Sequence, residues 1–416
     1  MARHLKGYAR FLMKVFLCSH NKFRSAVLPV SILLIVTGCS GLTRSPVPID
    51  RMDEAVLTGM PGVRSYWMKD MDPLFQKDII QSVRDEPPDL FPRRADNSPV
   101  YSGLAISGGG ANGAFGAGIL CGWSDAGTRP RFKLVTGIST GALIAPYAFL
   151  GSAYDAELKA AYTTVSTKDI ARIKPFGRES LADSSPLADR LAQDVDENML
   201  ADIAAAHARG QRLYIGTTHM DAQRFVVWNM GAIAASGHPG ALALFRKIML
   251  ASASIPGVFP PVYIEVEVDG QTYDEMHVDG GVITQVFFDG VMLDIKRAAR
   301  MFGSGPTLTR TGKVYVIRNG KVNPEPQHTQ RKLLAITGRS VSTMIKAASI
   351  NDLMRIYQFT QRNNVEFNYV GIPDDFRFES DEVFDPEEMN ALFKIGYQMG
   401  LGGDFWEKAP IEFTQK

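Results

Sequence analysis

The chain has 416 residues, with 45 basic and 44 acidic side chains, so its formal charge is close to zero. This length is ample for one large domain with appendages. The sequence has no basic patch with interleaved aromatic residues, which argues against nucleic-acid binding. It also lacks an H-E-x-x-H motif and a cysteine–histidine cluster with ligand spacing, so neither a metal nor another cofactor is predicted.

The first 38 residues carry six basic and no acidic side chains, and an apolar run covers residues 26–36. A positive segment followed by a short apolar one is typical of a secretory signal peptide. Cys39 directly follows Thr37 and Gly38, which resembles a bacterial lipobox and implies cleavage before Cys39 and lipid attachment to it. Ser40 then favours an outer-membrane lipoprotein that faces the periplasm. The alternative is an uncleaved N-terminal anchor.

Residues 39–98 are rich in proline, aspartate and arginine, and a helical pattern covers only residues 72–83. We interpret this part as a tether followed by an N-terminal lead, which gives the rest of the chain reach from the membrane.

Between residues 99 and 325, strand-like runs alternate with helix-like runs, which predicts an α/β fold. We expect a mostly parallel sheet covered by helices on both faces. Two of the runs follow each other too closely for a crossover and are predicted to form a hairpin, 212–219 with 223–229. The other predicted strands are 101–107, 132–136, 262–268 and 313–318. Residues 326–416 are predicted to be a mainly helical extension, with helices at 333–350, 352–362 and 386–399 and a last strand at 365–370.

A glycine-rich loop follows the first predicted strand and opens a helix predicted at 114–126. Such a loop presents free backbone N–H groups, which suit either a dinucleotide or a developing oxyanion. A dinucleotide site also needs an acidic residue at the end of the second strand. The residues directly after 136 are Gly137, Ile138 and Ser139, with no carboxylate nearby. The sequence therefore favours an oxyanion hole at Gly108, Gly109 and Gly110. In the helix, Ala114, Gly118 and Gly122 form a stripe that is predicted to let it pack closely against the sheet.

The pentapeptide from Gly137 to Gly141 has the pattern G-x-S-x-G and lies between the strand-like run 132–136 and the helix-like run 142–150. A strand that turns sharply into a helix holds the central residue in a strained conformation and exposes its side chain. Glycines on either side remove Cβ atoms that would collide there. Ser139 is therefore predicted to be a nucleophile.

A third motif, from Asp279 through Gly280 to Gly281, is by itself most often a turn. It follows a stretch rich in Ala, Ser and Pro at residues 251–261. Together with the glycine loop and G-x-S-x-G, in this order, these blocks resemble the patatin-like phospholipases over residues from about 100 to 285.

The resemblance implies a three-layer α/β fold and a Ser139–Asp279 dyad without histidine, in which Asp279 is the general base. It also implies that the loop at 108–110 is the oxyanion loop, and the glycines that complete the motifs are Gly113, Gly137, Gly141, Gly280 and Gly281. The sequence departs from the family at Asn112, where a basic residue is common.

The activity that the resemblance implies is hydrolysis of fatty-acyl esters of membrane phospholipids or related lipids. One alternative is a carboxylesterase with a serine–histidine triad, but only His328 follows Asp279, in a polar segment. We expect His277 and His219 to have supporting or structural roles. The other alternative is a non-catalytic lipoprotein that binds lipid or an envelope partner.

Overall fold

The computed structural model describes residues 43–67, 73–95, 97–174, 179–288, 312–380 and 382–410. The predicted signal peptide and Cys39 lie outside the described residues. Among the described helices, none combines the length and the apolar character needed to cross a bilayer.

A nine-stranded sheet lies at the centre of the described chain, with the order β1-β7-β6-β3-β2-β10-β11, and β9 pairs with both β6 and β8. Its strands are β1 (Arg64–Tyr66), β2 (Tyr101–Ile106), β3 (Leu134–Gly137), β6 (Arg212–His219), β7 (Arg224–Asn229), β8 (Val262–Val268), β9 (Gln271–Asp279), β10 (Gly312–Arg318) and β11 (Glu366–Gly371). Two short strands, β4 (Arg172–Ile173) and β5 (Ala182–Asp183), form a separate ribbon.

The five strands β6, β3, β2, β10 and β11 are parallel to their neighbours in this order. Strands β1, β7, β8 and β9 join by antiparallel pairs. The predicted parallel core is confirmed, and so is the hairpin, which is formed by β6 and β7. Strand β1 comes from the N-terminal lead and β11 from the C-terminal extension, so both segments contribute to the central sheet.

Helices cover both faces of the sheet. They are α1 (Pro73–Arg84), α2 (Gly113–Asp125), α3 (Thr140–Leu150), α4 (Asp155–Thr163), α5 (Thr167–Ile170), α6 (Ser185–Asp194), α7 (Glu197–Ala208), α8 (Met230–Ala234), α9 (Ala241–Ser252), α10 (Leu333–Asn363) and α11 (Pro386–Gly402). Alternate residues of each parallel strand point to opposite faces. On β2, for example, Leu104 and Ile106 belong to the core beneath α2, α3 and α11, whereas Ala105 belongs to the core beneath α1 and α10.

Two predictions about helices differ from the structure. Residues 333–350 and 352–362 form one continuous helix, α10, because Asn351 and Asp352 are accommodated within it. The glycine stripe of α2 packs against α11 rather than against the sheet. A Cβ atom on Gly118 or Gly122 would collide with the carbonyl oxygen of Phe393 or Tyr397, respectively.

Candidate active site

Ser139 lies at the sharp turn between β3 and α3. Its backbone has φ 55° and ψ −127°, a conformation that non-glycine residues rarely adopt. The turn is possible because its glycines allow close backbone approach: a Cβ atom on Gly137 would collide with the carbonyl oxygen of Gly141, and one on Gly141 with that of Ile106. The serine side chain is consequently raised above the carboxyl end of β3, as the G-x-S-x-G pattern predicts.

The strained turn is held in place by Ser252, the last residue of α9. The Ser139 N–H donates to Ser252 Oγ at 3.0 Å, and the Ser252 hydroxyl donates to the Gly216 carbonyl at 2.7 Å. Ser252 is fully buried, so both bonds are made away from water. Ser252 lies in the stretch 251–261 that helped to define the resemblance, but no local pattern predicts this contact.

Asp279 reaches Ser139 because β3 and β9 share one edge of β6. Strand β3 pairs with β6 up to Gly137 opposite Ile215, and β9 arrives from the opposite direction with Asp279 opposite Thr217. The two strands therefore end close to each other, although Ser139 and Asp279 are far apart in the chain. The structure brings these two predicted residues together.

The carboxyl group of Asp279 is buried, and this desolvation raises its pKa to about 6. The nearby Ser139 hydroxyl and a hydrogen bond from the Gly281 N–H, at 2.7 Å to Oδ1, oppose the rise because they stabilise the charged form. The Asp279 N–H donates to the Ser254 carbonyl at 2.9 Å, which fixes the backbone. The result is a carboxylate that lies beside the serine and is more basic than an exposed aspartate.

The glycine loop lies against the other side of Ser139. A Cβ atom on Gly108 would stand 3.2 Å from the Ser139 Cβ. The Gly108 N–H is engaged, since it donates to the Gln285 carbonyl at 3.1 Å. The N–H groups of Gly109 and Gly110 donate to no other described residue. Of the three glycines predicted for the oxyanion hole, only these two therefore have a free donor.

Asn319, directly after β10, holds this loop in place through hydrogen bonds. The sequence did not indicate this role. Its N–H donates to Ser107 Oγ and its Nδ2 donates to the Ser107 carbonyl, both at 2.9 Å. Its Oδ1 accepts from the Gly116 N–H at 3.1 Å. The side chain thus ties the strand before the loop to the helix after it.

Gln285 connects the loop to the turn that carries Asp279. Besides accepting from Gly108, it donates from Nε2 to the Gly281 carbonyl at 2.6 Å. Its own N–H donates to Asp352 Oδ2 at 2.6 Å, which attaches this connection to α10. The base and the glycine loop are therefore held by one set of contacts.

Asn112, where the family commonly has a basic residue, is buried. Its N–H donates to the Gly109 carbonyl at 3.2 Å, and its Oδ1 has no hydrogen-bond partner among the described residues. It supports the loop through its backbone and places no positive charge there.

The histidines lie apart from the dyad. His277 is fully buried, with Nδ1 2.9 Å from Thr217 Oγ1 and Nε2 3.1 Å from Glu275, so both of its ring nitrogens are occupied. Burial lowers the pKa of His277, and it lowers that of His219 to about 4. His328 is exposed in the loop before α10. Within the described residues, therefore, no histidine contacts Ser139 or Asp279.

His219, Glu275 and His277 bring three ligand-type atoms within 4.8 Å of one another. The arrangement suits a hydrogen-bond network better than a metal. Arg64 forms an ion pair with Glu275, which occupies the carboxylate. The two imidazole rings are stacked with an interplanar angle of 16°, so their nitrogen lone pairs do not converge on one point.

A cavity opens beside Ser139, with about 770 Å³ of empty space that includes some open solvent. Gly110, Ser139 and Thr140 border it at one end. Its walls are mostly aliphatic and aromatic side chains of α3, α4, α6 and α9. The charged residues on the wall, Arg190 and Asp194, are paired with each other at 2.6 Å. The cavity therefore offers an apolar compartment that is bordered by the serine.

Residues 104–292 match the family described as patatin-like phospholipase. The crystal structure of VipD from Legionella pneumophila is similar with a TM-score of 0.37 and 11% identity, over 75% of this chain and 69% of that one, which is too weak to support an argument. No curated protein sequence matches the chain. Residues 104–292, which include the serine turn, the glycine loop and Asp279, are thus a patatin-like phospholipase domain.

Proposed function

We propose that the protein is a serine acyl hydrolase that cleaves fatty-acyl esters of membrane phospholipids or related lipids. The observation that carries the proposal is the contact between a strained serine and a buried carboxyl group at the mouth of an apolar cavity. Strain at a non-glycine residue costs free energy and persists where the surrounding structure enforces it, most often at active sites.

In the proposed reaction, the Asp279 carboxylate accepts the proton of the Ser139 hydroxyl as Oγ attacks the ester carbonyl. A base with a pKa of about 6 is ionised at neutral pH, yet it is more basic than an exposed aspartate. Protonated Asp279 then gives its proton to the departing alcohol. Water, activated by the same carboxylate, hydrolyses the acyl-enzyme.

The negative charge of the tetrahedral intermediate must be stabilised by hydrogen-bond donors that are positioned before the reaction. The free N–H groups of Gly109 and Gly110 are the candidates, because Gly110 borders the same cavity as Ser139. Each such donor contributes on the order of 3 kcal/mol to transition-state stabilisation. The Gly108 N–H is excluded from this role by its bond to Gln285.

The cavity supports an acyl chain as the group bound beside the serine. Apolar walls with few polar groups are typical of sites that bind apolar ligands. The two charged residues on the wall, Arg190 and Asp194, pair with each other, so neither offers a free charge to a polar substituent.

Neither alternative is supported by a contact in the described residues. A histidine triad lacks a histidine near Ser139, and both ring nitrogens of His277 are bonded elsewhere. A non-catalytic binding protein would have no need of a strained serine next to a carboxyl group with a raised pKa.

We further propose that the chain is a lipoprotein attached through Cys39 to the membrane that holds its substrate. The motif at residues 37–39 supports this location. Mass spectrometry of the purified protein should find an N-terminus at an acylated Cys39. An intact N-terminus starting at Met1 would contradict the attachment but would leave the hydrolase proposal intact.

The hydrolase is tested by incubating phospholipid vesicles with the purified protein and identifying the released products. The wild type should release free fatty acid, whereas Ser139→Ala should release none above background. Ser152→Ala, which removes an exposed serine, is the matched control and should retain wild-type turnover. Fatty-acid release by Ser139→Ala at the wild-type rate would refute the proposal.

A further inference from the structure

The long helix α10 has two halves with different surroundings. Its second half packs on the sheet through Leu353 and Ile356, which are buried in the core shared with α1. Among the described side chains from 333 to 352, none belongs to either hydrophobic core. The first half of the helix is therefore not explained by packing on the sheet.

This first half extends past the edge of the sheet that carries Ser139. Arg318, the last residue of β10, donates to Ser349 Oγ, and Asp352 accepts from Gln285 beside the catalytic turn. Residues 349–352 of α10 therefore lie beside this edge of the sheet. At a rise of 1.5 Å per residue, residues 333–348 extend about 24 Å beyond it.

The exposed face of the projecting half is apolar and uncharged. Leu333, Ile336, Val341 and Met344 recur at helical spacing, and Leu333 and Met344 are 80% and 62% exposed. We call these four residues the apolar face. The exposed residues between them, Thr337, Ser340 and Thr343, are small and carry no charge.

The pattern changes where the helix lies alongside the sheet. Asn351 and Gln358 continue the same exposed stripe, and both are polar. A helix face that is solvated throughout would be expected to carry polar residues along the projecting half as well. Val282 and Ile283, which follow the Asp279 turn, are also exposed and add to the apolar surface near this edge.

The charged side chains within the segment that carries the apolar face are all basic. Residues 326–351 contain four basic side chains and no acidic one, in a chain that is otherwise balanced. Arg331 and Lys332 are exposed immediately before Leu333. Arg339 and Lys346 lie toward the loop after β10, where they donate to Glu325. A helix with an apolar face flanked by basic residues is suited to the surface of an anionic bilayer.

We propose that the projecting half of α10 is a membrane-docking element, whose apolar face enters the interfacial layer of a bilayer that contains anionic lipids. The inference rests on the proposed function in one respect, because docking would bring the edge that carries Ser139 to a substrate in that bilayer. The transfer of four apolar side chains out of water can supply the binding energy.

The first test compares two double variants of the full chain, each of which adds two negative charges to α10. Ile336→Glu with Met344→Glu should lower turnover of vesicles of phosphatidylglycerol and phosphatidylcholine by about tenfold. The same variant should hydrolyse the water-soluble ester p-nitrophenyl butyrate at the wild-type rate. The matched control, Asn351→Glu with Gln358→Glu, should retain both activities. Unchanged vesicle turnover in the first variant, or equal losses in both, would overturn the proposal.

The second test does not depend on hydrolysis. An environment-sensitive fluorophore is attached at Met344→Cys or at Asn351→Cys, in the Ser139→Ala background, and the signal of the unsubstituted chain is subtracted. Vesicles that carry nitroxide-labelled lipid should quench the probe at position 344 but not the probe at 351. Equal quenching at both positions, or none at 344, would refute docking. A probe at 344 that is already shielded without vesicles would show that this protein, or a second copy, covers the face.

The two tests separate the proposals. If no ester is hydrolysed and the probe at 344 is still quenched, the proposed function fails and the docking surface stands. If esters are hydrolysed and the probe at 344 is unaffected, the docking surface fails and the hydrolase stands.

Discussion

Asp279 occupies a position where burial opposes its charge and the proposed chemistry requires that charge. Desolvation raises its pKa to about 6, and the hydrogen bonds from Ser139 and Gly281 limit the rise. A carboxyl group with this pKa binds a proton more readily in the folded protein than in the unfolded chain. The free energy of unfolding therefore decreases as the pH rises from about 4 to about 6, and the full cost is present above that range. The same burial that lowers the stability also makes the carboxylate basic enough to accept the serine proton.

The pKa of Asp279 predicts the pH dependence of the reaction. Only the ionised carboxylate can accept the proton, so kcat/KM should fall below a pH of about 6, by about tenfold for each further unit. The pH profile of p-nitrophenyl butyrate hydrolysis measures this directly. His328→Ala removes an exposed histidine and should show the same profile. An activity that stays constant down to pH 4 would mean that Asp279 is not the base.

Ser252 is predicted to act on the reaction by positioning the serine turn. Ser252→Ala leaves the buried Ser139 N–H and the Gly216 carbonyl without partners, at a cost of about 1–3 kcal/mol. We expect kcat to fall about tenfold or more, with little change in KM, because the nucleophile is displaced and the cavity is not. Ser252→Thr keeps the hydroxyl and should recover much of the rate.

The control for this prediction is Ser254→Ala. The Ser254 hydroxyl donates to the Leu250 carbonyl and does not contact the serine turn. Equal losses of kcat in Ser252→Ala and Ser254→Ala would indicate general damage to the end of α9 instead of a positioning role.

The sequence pointed to Ser139 through the G-x-S-x-G pattern between a strand and a helix, and to Asp279 through the resemblance to the patatin-like phospholipases. It could not find the residues that hold them in place. Ser107 and Asn319 are 212 positions apart, and Ser139 and Ser252 are 113 apart. These contacts depend on which strands are neighbours in the sheet, and the local sequence pattern of a strand does not specify its neighbours. The engaged N–H of Gly108 was missed for the same reason, since its partner is the distant Gln285.

At the level of elements, the end-to-end approach of β3 and β9 along β6 creates the site. The sequence pattern predicted β3 and β6 but not β9, because the polar residues Gln271, Asp274 and Glu275 interrupt the apolar alternation in that segment. Strand β9 is held by its antiparallel pairing with β8, whose alternation was recognised. The boundaries of α10 could not be predicted either, since the polar pair Asn351–Asp352 suggested a break that the helix does not make.

Helices α2 and α11 pack through glycines on both partners. A Cβ atom on Gly396 of α11 would collide with the Phe115 carbonyl oxygen of α2, whereas one on Gly338 of α10 meets nothing within 4 Å. Gly396→Ala should therefore destabilise the protein by about 1–3 kcal/mol, because the two backbones must separate. Gly338→Ala should stabilise it by up to about 1 kcal/mol through helix propensity.

Thermal unfolding of these two variants checks the packing. The account expects a lower Tm for Gly396→Ala and an unchanged or higher Tm for Gly338→Ala. Equal Tm values for the two variants would mean that α2 and α11 are not in close backbone contact.

At the scale of the whole molecule, the two faces of the sheet have separate tasks. The face under α3, α4, α6 and α9 contains the apolar cavity, and the opposite face carries α10 with its projecting half. Both meet at the edge where Ser139 lies. The alternation of strands and helices was sufficient to predict this layered class of fold. Strand β1 was not predicted, because residues 64–66 are too short a run. Strand β11 was predicted at residues 365–370, but its pairing with β10 in the central sheet was not.

The proposed mechanism requires that the Oγ atom of Ser139 receive the acyl group. The most direct measurement is mass spectrometry of the protein after reaction with a fluorophosphonate, which labels only activated serines. We expect one adduct, on the peptide that contains Ser139, and strongly reduced labelling in Asp279→Asn. An unlabelled Ser139, or an adduct on another serine that accounts for the loss of esterase activity, would contradict the account.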